Sequence, residues 1–199
     1  MSFPTRAHAH ELLEQAHQAN PGPWYGHSLY AGKAAGFIGN ALGLDADKVY
    51  VSGLLHDIGR YEGVYNLHHV ISGYRYLHSL GFDSCAKCAL THSFFIKELS
   101  SFIGVHDVND EEKLFIEQYL SRVQYDDYDR LIQLCDALAL SDGFCLVEQR
   151  IVDVALRHGL NEYSLEKWRA LFAIKTDFET RIGKSIYALL PGIEERIIR

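Results

Sequence analysis

Helical periodicity runs through almost the whole chain, and strand patterns are nearly absent. Apolar residues recur at three- and four-residue spacing, and caps and stops divide one such segment from the next. A first amphipathic helix is expected after Pro4, with Leu12, Leu13 and Ala16 on one face, ending at the Pro21-Gly22-Pro23 break. Trp24 opens a second helix reaching about Leu42. It carries Gly32, Gly36, Gly39 and Gly43, each costing up to ~1 kcal/mol relative to alanine, and their spacing forms one stripe where another helix can approach closely. Asp45 or Asp47 caps a third helix containing Val49, Tyr50, Leu54 and Leu55 and ending at Gly59. A fourth runs from about His68 to Leu80, and Asp83 caps a fifth through about His92. Asn109-Asp110-Glu111-Glu112 starts a helix through Val123, and Asp126 or Asp127 starts one from Tyr128 to about Leu140. Two more are expected, from Phe144 to His158 and from a Ser164 cap through about Arg181, before Pro191-Gly192 and a short tail. Val49-Tyr50-Val51 is too short a β-run to override its surroundings. The fold class is therefore all-α, a single-domain helical bundle. Its expected organisation is an N-terminal helix and break (1–23), a core (24–140) and C-terminal helices packing on the same domain (141–199).

A chain of 199 residues can bury roughly 70% of its unfolded surface and needs no staples. No run approaches the ~20 apolar residues of a membrane span. The net charge of −7 offers no electrostatic footprint for nucleic-acid backbones or anionic membranes, so neither is an expected partner. Arg6, His8, His10 and Glu11 stand where a signal peptide would need apolar residues. With no export signal, the four cysteines read as reduced thiols, and the expected location is cytoplasmic.

Ionisable residues inside apolar runs carry the functional information, because a buried charge costs several kcal/mol unless compensated. Leu54-Leu55-His56-Asp57-Ile58-Gly59 sets a histidine and a carboxylate at the end of an apolar helix. Leu131-Ile132-Gln133-Leu134-Cys135-Asp136-Ala137-Leu138 buries a carboxylate, and Ala89-Leu90-Thr91-His92-Ser93-Phe94-Phe95 an imidazole. A satisfied core histidine or a capped aspartate explains any one of them; the three together are better explained by a shared cation. The His-Asp dipeptide alone is weak evidence, since about 0.7 are expected by chance in this composition. The second one, His106-Asp107, precedes helix-capping residues and reads as structural.

His27, His56-Asp57 and Asp136, in that order on separate helices, resemble the H…HD…D signature of the HD superfamily of metal-dependent phosphohydrolases. Leu-Leu-His-Asp-Ile-Gly-Arg is similar to its central motif. His69, four residues before Gly73, and His92, at the end of the next helix, extend the match to the dinuclear pattern H…HD…H…H…D over residues 24 to 140 or so. The resemblance implies an all-α HD domain with His27, His56, Asp57 and Asp136 on one divalent metal. It sets His69 and His92 on a second, with Asp57 bridging. Imidazoles with carboxylates suit Fe, Mn, Zn, Co or Ni, whereas several histidines match Mg or Ca poorly. Two such ions ~3.5–4 Å apart acidify a bridging water and clamp the oxygens of an in-line displacement. The implied activity is hydrolysis of a nucleotide or other small phosphate ester or anhydride, with Asp57 and Arg60 as the catalytic residues. Whether one or two ions bind, and the oligomeric state, stay open.

Symmetrical dinucleoside-polyphosphate hydrolases of the HD type share the six-ligand order, but this chain departs from them at Arg60 and at Ala137 to Gly143. Two alternatives are a diiron oxygenase resembling myo-inositol oxygenase, which uses the same ligand pattern, and a non-catalytic metal-binding sensor or interaction domain. Several neighbouring residues have competing readings. His68 adjoins His69, and the spacing to Gly73 favours His69. Arg60 contacts phosphate or pairs with Glu62; Lys87 and Arg75 are weaker phosphate candidates. Cys85 and Cys88 lack the second pair that a structural zinc requires and read as small buried thiols. His8, His10 and His17 read as solvated surface. Asp153 and Arg157 form an i,i+4 pair; Arg150 shares a face with Arg157 and either touches substrate or, the favoured reading, belongs to the surface. The loops Gly63 to Leu67 and Phe95 to Asn109 are where substrate choice is expected.

Overall fold

The computed structural model describes residues 2–197 and is helical throughout; among the described residues the only β pairing is an isolated bridge between Ala139 and Phe144. Helix α1 (Arg6–Ala19) starts at Thr5, whose hydroxyl accepts from His8 N at 3.2 Å, and it buries Ala9, Leu12, Leu13 and Ala16. After the Pro-Gly-Pro break come α2 (Trp24–Ala41) and α3 (Ala46–Leu55), the latter capped by Asp45. These two helices touch backbone to backbone. A Cβ on Gly32 would lie 3.1 Å from Tyr50 O, and one on Gly53 would lie 2.9 Å from Ala31 O and 3.0 Å from the Gly32 Cα. The facing glycines let α2 and α3 close up, and that approach brings His27 to His56. Of the stripe expected on α2, Gly43 falls away: it lies past the helix end with φ +75° and faces open space. It is a left-handed helix terminator rather than a packing residue.

Helix α3 ends at Leu55, four residues before the expected stop at Gly59. The chain leaves α geometry at Asp57 (φ −101°, ψ 12°) and continues as a 3-10 turn, Ile58–Glu62. Gly59 in that turn presses on the backbone of His69 and Gly73, leaving no room for a side chain. Those residues belong to α4 (His68–Ser79), which is followed by α5 (Asp83–Thr91); Asp83 lies in the first turn of α5 rather than at its cap, which is Phe82. Helices α6 (Asp110–Arg122) and α7 (Asp127–Asp136) both open with reciprocal capping boxes, Asn109 with Glu112 and Asp126 with Asp129.

Helix α7 stops at Asp136, short of the expected Leu140, because the next residues fold into a tight reversal. Leu140 N donates to Gly143 O at 2.8 Å and Cys145 N to Leu138 O at 2.9 Å. The same reversal delays α8 (Val147–His158) from its expected start at Phe144. Helix α9 (Ser164–Ile182) has Tyr163 at its cap, and α10 (Glu194–Ile197) follows the Pro191-Gly192 turn. Leu171, Ile174 and Phe178 of α9 share an apolar cluster with Leu131, Leu134 and Leu138 of the α7 region and Ala34, Ala35 and Ile38 of α2. A second cluster joins α1, α3 and α5, and a third joins α4, α5 and α6. By contrast α8 buries only Val147. No helix among the described residues is long and apolar enough to cross a membrane.

Candidate metal centre

Three helices deliver their C-terminal ends to one place. His56 caps α3, His92 caps α5, and Asp136 is the last residue of α7. A helix ends with carbonyls that no amide N–H reaches, carrying negative partial charge. Two of these histidines use them: His56 Nδ1 donates to Gly53 O at 2.7 Å and His92 Nδ1 to Ala89 O at 2.9 Å, each three residues back. His69, in the first turn of α4, makes the same local bond to Asn66 O. His27 Nδ1 donates across the fold to Ala139 O at 3.0 Å, a carbonyl presented by the reversal after α7.

These four bonds fix the tautomers. A carbonyl only accepts, so in each neutral ring the proton sits on Nδ1, leaving Nε2 as a bare lone pair. The four Nε2 atoms nevertheless point at one another in pairs. His27 Nε2 lies 3.2 Å from His56 Nε2, and His69 Nε2 lies 3.2 Å from His92 Nε2. Two acceptors at that distance repel unless a cation stands between them. Nitrogens each ~2.1 Å from a common ion would be separated by about 3.0–3.4 Å, from right-angle to tetrahedral geometry.

Carboxylates complete both pairs. Asp57 Oδ1 lies 3.2 Å from His69 Nε2 and 3.6 Å from His92 Nε2, while its Oδ2 is 4.0 Å from His56 Nε2. Asp57 thus faces one histidine pair with each oxygen, and its Oδ1 is buried without any hydrogen-bond donor. Asp136 Oδ1 is 2.9 Å from His27 Nε2 and 3.7 Å from His56 Nε2. Two buried groups with donor atoms close enough to share an ion result: His27, His56 and Asp57, and Asp57, His69 and His92. The orphaned carboxylate oxygen and the opposed lone pairs fit divalent cations, and all six residues chosen from the sequence meet here.

Charge is arranged to match. Burial would raise the Asp57 carboxyl, but the Arg60 guanidinium and then His56 and His69 hold it well below the usual range. Burial acts the same way on Asp136, and the adjacent His27 and His56 rings, with Arg150, overcome it. His69 is lowered by burial and Arg60, and His92 is lowered to about 3 by burial and then by His56. Burial would lower His56 too, but Asp57 and then Asp136 raise it. Ionised carboxylates beside neutral imidazoles, as at His69 and His92, are the forms that bind metal. Arg60 Nε donates to Asp57 Oδ2 at 2.7 Å and Nη1 to Tyr65 O at 3.2 Å, so of its two readings the pairing with Glu62 falls away and its carboxylate partner is Asp57.

The cluster forms the floor of a cleft of about 760 Å³. Its walls include Pro21 and Trp24 at the start of α2, Val64 and Tyr65, Phe102 and Ile103, and Ser141 and Asp142 after α7. Both loops expected to govern substrate choice contribute. Arg150, Asp153 and Arg157 of α8 form a further wall, correcting the surface reading of that stripe. Arg150 Nη2 stands 3.9 Å from Asp136 Oδ1, while Arg157 and Asp153 pair at 2.7 Å as expected. The charged stripe was legible in the helical spacing, but not the fact that it faces inward.

Other candidates are engaged elsewhere. His68 turns from the cluster and lies 2.7 Å from Glu62. Arg75 is bound to Glu112, and Lys87 to Asp129 and to Asp126 at 3.1 Å, away from the cleft. Asp107 accepts from Asn66 N at 2.6 Å and His68 N at 2.9 Å, fastening the start of α4. Cys85 and Cys88 are buried free thiols. His8 and His10 are exposed, but His17 is half-buried and stacks on Tyr25 with ring centroids 4.3 Å apart.

The family model of the HD domain matches residues 24–141, which includes all six clustered residues. No curated protein and no solved structure matches the chain.

Proposed function

The chain belongs to the HD domain family, a superfamily of metal-dependent phosphohydrolases, and from that premise we propose that it hydrolyses a nucleotide or another small phosphate ester or anhydride. The observation that carries this reading is the orphaned Asp57 Oδ1 between two pairs of opposed imidazole lone pairs, at the floor of an open cleft. In it, His27, His56, Asp57 and Asp136 hold one divalent ion, and His69, His92 and Asp57 hold a second. The donor set favours Fe, Mn, Zn, Co or Ni over Mg or Ca. Such ions supply polarisation of phosphoryl oxygens and acidification of water at neutral pH.

The chain's own residues do the rest. Hydrogen bonds from the four Nδ1 atoms to backbone carbonyls orient the rings before any ion arrives, which lowers the ordering cost of binding. Arg60 fixes the rotamer of Asp57 and lines the cleft, where its remaining N–H groups can take a phosphoryl oxygen. Arg150 and Arg157 offset the carboxylates and favour an anionic substrate. A cleft of about 760 Å³ suits a molecule of nucleotide size rather than a polymer.

The test is phosphate release from nucleotides, dinucleoside polyphosphates and sugar phosphates by protein loaded with Mn or Fe, beside Asp57→Asn. Metal-dependent release that disappears in the variant supports the proposal. No release from any substrate by protein holding two irons would overturn it and favour oxygen-activating chemistry.

A further inference from the structure

A side chamber of about 140 Å³ opens beside the metal centre, sharing Asp136, Arg150, Phe102 and Ile103 with the main cleft. Its other walls include the rings of Phe95 and Trp168, with Leu171 and Ile151, and Lys167 of α9. A cavity of about 150 Å³ takes one benzene ring, so the chamber accommodates a single ring or a short apolar body.

Lys167 is anomalous there. It is only 8% exposed, yet no carboxylate among the described residues pairs with it. Its Nζ donates to Ser101 O at 2.9 Å and lies 5.8 Å from the Phe95 ring centroid. An ammonium has three donors, so two are unspent. The hydroxyl of the same Ser101 is also buried without a partner. The one carboxylate that favours its charge is Asp136, which shares the chamber without pairing with it; a buried ammonium with no ion-pair partner costs several kcal/mol, and a neutral side chain would hold the Ser101 carbonyl at lower cost. Burial lowers its pKa only to about 8, so it stays protonated at neutral pH.

We propose that this chamber is a specificity subsite for the non-reacting end of the substrate, a ring or short apolar body bearing an oxyanion that Lys167 binds. Resting on the hydrolase reading above, this makes the substrate a phosphorylated organic acid or a bisphosphate. The reacting phosphoryl group lies at the His/Asp cluster and the second anion lies in the chamber. The rings of Phe95, Phe102 and Trp168 cover the body between them, and the oxyanion supplies the counter-charge that Lys167 lacks.

Two measurements test the subsite on the metal-loaded full chain. Calorimetry with benzoate needs no turnover: Lys167→Met and Lys167→Gln are each expected to weaken binding at least tenfold, and Lys167→Arg to restore most of it. Unchanged affinity in the two neutral variants overturns the proposal, and if Met fails to fold, Gln decides. The second measurement is the ratio of kcat/KM for 4-carboxyphenyl phosphate over phenyl phosphate. At least tenfold is expected in the wild type, carried mainly by KM, falling towards unity in both neutral variants. A merely structural Lys167 would shift Tm and leave that ratio intact. Turnover of both esters with a ratio indifferent to Lys167 removes the subsite and leaves the hydrolase standing. Lysine-dependent benzoate binding with neither ester hydrolysed does the reverse.

Discussion

Asp57→Asn separates two roles that the wild-type carboxylate combines. Asparagine keeps the shape and removes the charge. In the metal-free protein the loss falls on Arg60, whose Nε bond to Asp57 Oδ2 at 2.7 Å is mostly buried. A hydrogen bond between charged groups contributes about 1.5–3 kcal/mol. Arg60 keeps 28% side-chain exposure and its bond to Tyr65 O, which places the cost near 2 kcal/mol. For a domain of this size that is a Tm lower by roughly 4–8 °C. The second role appears when metal is added. A ligand present at a thousand times its Kd stabilises by about 4 kcal/mol, or roughly 8–16 °C. The variant lacks the carboxylate shared by both histidine pairs, so it should lose at least half of that gain. Differential scanning calorimetry with and without Mn reads both effects. A variant that loses its metal-free increment yet keeps the full metal-induced shift would reduce Asp57 to a partner of Arg60 and refute its role as a ligand.

Further outcomes follow from other contacts. Gly59→Ala would drive a methyl group into the backbone of His69 and Gly73; a loss of about 3 kcal/mol and weaker metal binding are expected in urea unfolding and metal titration. His69→Gln should lower metal content, while His68→Gln, which removes a group facing Glu62, should leave it unchanged. Lys167 has a folded pKa of about 8 against an unfolded value of 10.5. The unfolded chain therefore binds more protons between those values, and stability should rise as pH increases from 8 to 10.5, by about 3 kcal/mol in all. That increment is lost again as pH falls from 10.5 to 8. It should be missing from pH-dependent urea unfolding of Lys167→Met, which should also be the more stable protein at pH 7.

Much of the site was legible because burying a charge leaves a mark on sequence. His56, Asp57, His92 and Asp136 stand out as ionisable groups in apolar runs, and His27 and His69 joined them through the order of the family motif. Helix existence was equally legible from periodicity and caps such as Asn109 and Asp126. The ends of α3 and α7 were not, and both misplacements lie at the site itself. At Asp57 and Asp136 the chain leaves the helix to aim a carboxylate inward, and long-range packing dictates this: Gly59 against Gly73 in one case, Ala139 against Phe144 and His27 in the other. Lys167 was missed, and Arg150 was read as surface in preference to a substrate contact, for a different reason. Periodicity assigns residues to a face of α8 or α9 but does not say that the face lines a cleft. A lysine among Leu165, Trp168 and Leu171 reads as an ordinary amphipathic boundary until its missing counter-charge is visible.

Metal stoichiometry addresses the centre most directly. Protein reconstituted with Mn or Fe, freed of excess ion and measured by elemental analysis should carry two ions per chain. His27→Ala and His92→Ala should each carry about one, because each removes a ligand from a different histidine pair. A wild-type content of two that neither substitution changes, or a wild-type content near zero at saturating metal, would contradict a dinuclear centre built on these six residues.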